Sequence, residues 1–124
     1  MPPEWREQAD EDLSAVFDEC STPNWDGEGA FPVDEATRET ARVFLGALPG
    51  GVPQPEISAD KDGEINFEWY LQPRQAFSVS LGKSGVLSFA GLFGRNTIHG
   101  KEEFHGEIHP VVLQQIDRLF AVPF

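Results

Sequence analysis

Hydrophobic residues recur along this chain with two periods, and the change from one to the other divides it. From Pro3 to about Glu19, Trp5, Ala9, Leu13, Val16, Phe17 and Cys20 return at three- and four-residue steps, the stripe of an amphipathic helix. A second stripe of Ala36, Thr40, Val43, Phe44, Ala47 and Leu48 predicts a helix over Asp34–Leu48, with Asp34 as its N-cap and "PGGVPQP" as its stop. Between the helices lies a loop over residues 21–33 containing "NWDGEGAFP".

From about residue 55 to residue 100 the period falls to two. Ile57 and Ala59 predict a short strand. Ile65, Phe67 and Trp69 alternate with Glu64, Asn66, Glu68 and Tyr70, and Phe77, Val79 and Leu81 alternate with Ala76, Ser78 and Ser80. A more apolar strand over Val86–Phe93 and a short fifth one over Arg95–His99 follow. "DKDG" and "GKSG" supply the turn chemistry. A loop over residues 100–109 leads to a closing helix over 110–120, with Val112 or Leu113, Ile116, Leu119 and Phe120 inward. These elements predict a single α+β domain over 1–124, an antiparallel meander of four to five strands with N-terminal helices and a C-terminal helix packed on its apolar face.

Charge changes the functional picture more than composition does. The chain has 21 acidic and 9 basic residues, a formal net charge of −12. Residues 1–30 hold nine acids against Arg6 alone, whereas residues 71–101 hold Arg74, Lys83, Arg95 and Lys101 and no acid. Counterion release cannot favour binding of such a chain to a polyanion, so direct nucleic-acid binding is not expected. A partner with a basic surface is. No apolar run reaches the roughly 18 residues of a membrane span, the start is acidic where a signal peptide is basic, and one cysteine permits no internal disulfide. Those features predict a soluble cytoplasmic protein.

Candidate chemistry is sparse. "GKSG" lacks the preceding glycine of a phosphate-binding loop, and a calcium loop begun at "DKDGE" would place Trp69 where a bidentate carboxylate is required. Cys20 closes the apolar stripe of the first helix beside Asp18 and Glu19, which marks it as a structural thiol rather than a nucleophile. "HGKEEFHGEIHP" gathers His99, Glu102, His105, Glu107 and His109; in an extended chain His105, Glu107 and His109 share one face and would converge on a divalent metal. In the loop, Gly27 and Gly29 call for unusual backbone angles, Asp26 or Glu28 can accept from the loop's own amides, and Trp25 and Phe31 are expected to pin both ends to the core. That makes the loop chiefly a structural joint docking the second helix against the sheet.

The segments "NWDGEGA", "FLGALP", "DGEINFEW" and "SFAGLFG…IHGKEEF" resemble a family of small bacterial proteins with a Trp-Asp-Gly-Glu-Gly loop and no established activity. The resemblance spans about residues 22–120, and its matching positions are Trp25, Asp26, Gly27, Glu28, Gly29, Glu64, Glu68, Trp69, His99, Gly100 and Glu102. It implies a coherent domain rather than a reaction.

The expectation drawn from all this is a non-enzymatic interaction protein without a cofactor, an antitoxin-, immunity- or inhibitor-like partner of a basic protein. Its candidate contact residues are Trp25, Asp26, Glu28, Glu64, Glu68 and Tyr70, with the outer side of the first helix and the polar face of the meander as contact surface. The alternative is a small ligand-binding or metal-dependent enzyme joining the WDGEG loop to the His/Glu segment. A homo-oligomer paired through an edge strand or through strand 86–93 is compatible with either.

Overall fold

The structure, a computed structural model, describes residues 3–121. Its elements follow in the order α1 (Arg6–Cys20), α2 (Glu35–Ala47), β1 (Glu56–Ala59), β2 (Ile65–Gln72), β3 (Gln75–Leu81), β4 (Val86–Phe93), β5 (Asn96–Glu103) and α3 (Pro110–Phe120). The five strands form one antiparallel sheet in sequence order, a meander. The α+β architecture read from the two periods is the architecture observed. No helix among the described residues is long and apolar enough to cross a membrane.

Each helix boundary has a local cause. Asp34 caps α2, its Oδ1 accepting from the Thr37 amide at 2.8 Å, and that N–H bond is the first reason its carboxyl lies below the usual carboxylate range. Pro110 opens α3, where an N–H would have no helical partner. His109 caps it: Nδ1 accepts from the Val111 amide at 3.1 Å. α1 starts at Arg6, later than the expected Pro3, with Trp5 at its cap and no side-chain bond there.

The face α2 buries differs from the expected one. Thr37, Ala41, Phe44, Leu45 and Leu48 are buried, while Val43 is 39% exposed and the Thr40 hydroxyl donates back to the Ala36 carbonyl. The stripe is turned by about one residue, or 100° of helix. Phe44 and Leu45, adjacent and both large, outweigh Val43 in setting which way the helix faces, and a three- and four-step count begun at Ala36 leaves Leu45 out.

Ile65, Phe67, Trp69, Phe77, Val79, Leu81 and Leu87 line one face of the sheet and are fully or almost fully buried under α2 and α3. Phe44 lies at the centre, its ring 4.7 Å from that of Phe67 and 5.8 Å from that of Phe104. α1 packs on α2 and on β1, so it guards the β1 edge instead of covering a face. Two indoles hold the connection from α2 to β1: Trp5 Nε1 donates to the Val52 carbonyl at 2.8 Å and Trp69 Nε1 to the Pro53 carbonyl at 2.7 Å. Each tryptophan buries an apolar body and satisfies its single N–H on a backbone carbonyl of a proline-rich turn.

Among the described residues, the opposite face of the sheet carries no helix. Along it run Glu56 and Ser58 of β1, Asn66, Glu68 and Tyr70 of β2, Ala76, Ser78 and Ser80 of β3, Ser88, Ala90 and Leu92 of β4, and Thr97, His99 and Lys101 of β5, each at the alternate positions to the buried set. No helix approaches β5 among the described residues.

Candidate functional site

The "NWDGEGAFP" loop is built from its own bonds. Asn24 is left-handed at φ 59°, as are Gly27 at 77° and Gly29 at 86°. Asp26 Oδ1 accepts from the amides of Glu28 (2.8 Å) and Ala30 (3.1 Å), Asn24 Oδ1 accepts from Gly29, and the Asn24 amide donates to the Ala30 carbonyl at 2.8 Å. The Glu28 amide is the largest cause of the lowered pKa of Asp26. The Trp25 indole folds back so that Nε1 donates to the Phe31 carbonyl at 2.9 Å, while its half-buried ring packs against the core. Two further bonds fix the loop to the body, from the Val33 amide to the Cys20 carbonyl and from the Phe31 amide to the Lys61 carbonyl, both 2.8 Å.

The loop therefore joins α1, the β1–β2 turn and the start of α2. Phe31 corrects one expectation: its side chain is 66% exposed, so its backbone, not its ring, anchors the far end. With its ring half-buried and one hydrogen bond to the loop, Trp25→Ala is expected to lower the unfolding free energy by about 2 kcal/mol in denaturant titration. A variant that unfolds at the parent's midpoint would show that the indole carries no structural role.

The candidate contact residues separate into two places. Trp25, Asp26 and Glu28 lie on the joint. Glu64 is beside it on a depression of about 420 Å³ bordered by Phe31, Asp34 and Lys83, its pKa raised by burial and then by Asp60 and Asp62. Glu68 and Tyr70 stand instead on the uncovered face of the sheet.

The His/Glu segment is likewise divided. β5 runs on to Glu103, and Gly106 at φ 102° bends the chain beyond it, so residues 105–109 are not extended and do not present a single face. Glu102 lies opposite Leu87 on the helix-covered side and pairs with His109, Nε2 to Oε2 3.8 Å. His105 pairs with Glu103 at 3.6 Å, Glu107 is exposed, and His99 is on the uncovered face opposite Ala90. Among the described residues no group of three or more His, Cys, Asp or Glu side chains comes together as a metal site would require. The WDGEG loop rests on the β1–β2 turn, whereas His99 and Glu102 belong to β5, three strand positions or about 14 Å from β2.

The pairing registers bring together a constellation that no local pattern signalled. Glu56 faces Glu68, Glu68 faces Ser78, Ser78 faces Ala90 and Ala90 faces His99, one straight row across all five strands on the uncovered face. Small residues floor the middle of this face. A groove of about 900 Å³ opens between its β1–β2 side and α1, lined by Asp12, Glu56, Glu68, Asn66 and Ser58 among others and by no basic side chain. Glu56 and Glu68 stand directly opposite each other, a like-charge pairing that costs stability within the monomer. A second depression, about 320 Å³, continues over Ala76, Ala90 and Leu92 to His99. In the second depression the Ser78 hydroxyl stands in the row between Glu68 and His99. Together groove and depression form a shallow trough with Glu56 and Glu68 at its β1–β2 rim and Thr97, His99, Lys101 and Glu103 along β5.

No protein-family model, curated protein or solved structure matches this chain.

Proposed function

We propose that this chain is a non-enzymatic interaction protein that offers an acidic surface to a basic partner, in the manner of an antitoxin, an immunity protein or an inhibitor. The observation that carries the reading is the groove between α1 and the bare sheet face, where Asp12, Glu56 and Glu68 gather without a neutralising lysine, arginine or histidine along its walls. Like charges set directly opposite one another weaken a fold, and an incoming ammonium or guanidinium would remove that cost on binding. The outward ridge of α1, with Glu7, Glu11 and Asp18 exposed, extends the same field, so a basic partner would be drawn in and oriented before contact. The same field disfavours nucleic acid as a partner.

The test is a pull-down from host extract with wild-type protein and with an Asp12→Lys/Glu56→Lys variant, at low and at high salt. A basic protein retained by the wild type at low salt, shed at high salt and absent from the variant is the expected result. Identical captures by the two baits would sink the reading.

A further inference from the structure

We infer that the end of the sheet built by the β2–β3 and β4–β5 turns docks an acidic peptide segment of a partner protein, one whose carboxylates stand beside bulky apolar side chains. No residue of this end lines the acidic groove, so the inference goes beyond the basic partner proposed above.

The registers set the two turns side by side. Gln72 faces Gln75, Gln75 faces Phe93 and Phe93 faces Asn96. Two bonds then stitch one turn to the other: the Gly94 amide donates to the Arg74 carbonyl at 2.8 Å, and Arg74 Nε donates to the Gly94 carbonyl at 3.1 Å. Arg74 is left-handed at φ 64°, a conformation that glycine or asparagine holds with less strain. α3 ends against the same place, its Arg118 guanidinium 4.0 Å from the centre of the Phe93 ring. Between the helix end and the turns opens a depression of about 520 Å³, walled by Leu71, Phe93, Leu119 and Arg118 and edged by Gln72 and Gln75. Among the described residues no acidic side chain lines it.

Charge and exposure name the occupant. Acidic residues outnumber basic ones by 21 to 9, yet Arg74, Arg95 and Arg118 enter no ion pair among the described residues. Arg118 spends one N–H on Gln115 Oε1, at 3.4 Å, and the planar fork of a guanidinium has further donors that fit a carboxylate. Tyr70, Leu71 and Leu92 are three of the five large apolar side chains exposed among the described residues, and all three stand at this end. Arginine beside exposed aromatic and aliphatic groups is the composition of a protein contact rather than of a solvated turn. An extended polyanion fits less well. A bilayer surface or a nucleic acid would meet the field of the whole −12 chain, and a flat bilayer cannot enter a depression between a helix end and two turns. A short segment with a few carboxylates touches the basic end alone, because charges more than about 8 Å away are screened at about 0.15 M salt.

A nuclear magnetic resonance titration of the whole protein with the capped peptide acetyl-Glu-Leu-Asp-Phe-Glu-amide tests this. Shifts should concentrate at Leu71, Phe93, Gly94 and Arg118 and saturate with a Kd of about 0.1–1 mM, the range of a small contact. The isosteric peptide acetyl-Gln-Leu-Asn-Phe-Gln-amide keeps the apolar groups without the charge, and should bind about tenfold more weakly. Arg118→Glu should weaken binding of the acidic peptide by about tenfold or more, and Leu71→Ser by about threefold or more. Lys61→Glu, the same charge change at the opposite end of the sheet, should leave the Kd within about twofold. All three positions are exposed, and circular dichroism will show the fold kept. No shift at about 5 mM peptide, equal binding of both peptides, or an Arg118→Glu variant that binds like wild type would each overturn the inference. So would a rival occupant found in the absence of peptide binding: phosphatidylserine vesicles, or a second copy of the chain, held by the wild type and lost in Arg118→Glu. A protein that binds the acidic peptide but captures no basic host protein would sink the proposed function and leave this site standing.

Discussion

Phe44→Ala is expected to remove about 3–5 kcal/mol from the unfolding free energy, which places it among the costliest truncations this core offers. Phe44 is fully buried, and its ring joins three parts of the fold: α2, β2 through Phe67, and the segment after β5 through Phe104. Deleting it costs the transfer energy of the ring and leaves a cavity among neighbours held by separate elements. β2 cannot move toward α2 without breaking its pairing on both sides, with β1 and with β3. The site therefore collapses poorly, which pushes the cost toward the top of the range. Urea titration followed by tryptophan fluorescence measures it. A loss below about 1 kcal/mol would mean that α2 is not packed on the sheet through this ring.

Gly63→Ala is expected to cost about 2–4 kcal/mol, more than a backbone conformation alone explains. Gly63 sits at φ 83° in the turn between β1 and β2, where an alanine is strained by about 1 kcal/mol. In addition, a Cβ there would come within 2.8 Å of the Pro32 carbonyl oxygen, a backbone atom with little freedom to give way. Relieving that contact means pulling the joint loop off the turn, and with it the bond from the Phe31 amide to the Lys61 carbonyl. Gly27→Ala is the control: φ is 77°, but nothing lies within 4 Å of its Cβ. The two variants should differ by at least about 1 kcal/mol in denaturant titration. Equal costs would show that the loop rides loosely over the hairpin and joins nothing.

Together these two substitutions separate what is legible in the residues from what is not. The elements are legible, because an amphipathic stripe and a strict alternation are properties of a few neighbouring residues and need no distant partner. Asp34 as a cap and the turn character of "DKDG" are legible for the same reason: each is a short side chain satisfying amides two to four residues away. The inner set Ile65, Phe67, Trp69, Phe77, Val79 and Leu81 follows from alternation and is the set the structure buries.

Orientation is less legible. α2 carries two overlapping stripes, and the choice between them is made by Phe44 meeting Phe67 and Phe104, residues that lie outside the helix. Aromatic rings usually bury, which points Phe31 inward on sequence grounds. The loop satisfies itself through backbone bonds instead, and leaves the ring out. The clustering of histidines and glutamates between residues 99 and 109 is a fact of the sequence, but strand alternation and the bend at Gly106 send them to different sides of the sheet. Conversely, Glu56, Glu68, Ser78, Ala90 and His99 are spread over most of the sheet-forming part of the chain, and no window of sequence could align them.

Three helices, a meander, the apolar side of its first three strands, and an uneven distribution of charge between the first thirty residues and the stretch from 71 to 101 can all be read from the residues alone. Those are consequences of covalent neighbours and of the two backbone periods. That α1 guards an edge, that one sheet face carries no helix among the described residues, and that Glu56, Glu68 and His99 share a row across a floor of alanine and serine came only with the fold. Those depend on interstrand register and on which helix reaches which surface, quantities set by contacts between residues far apart in the chain.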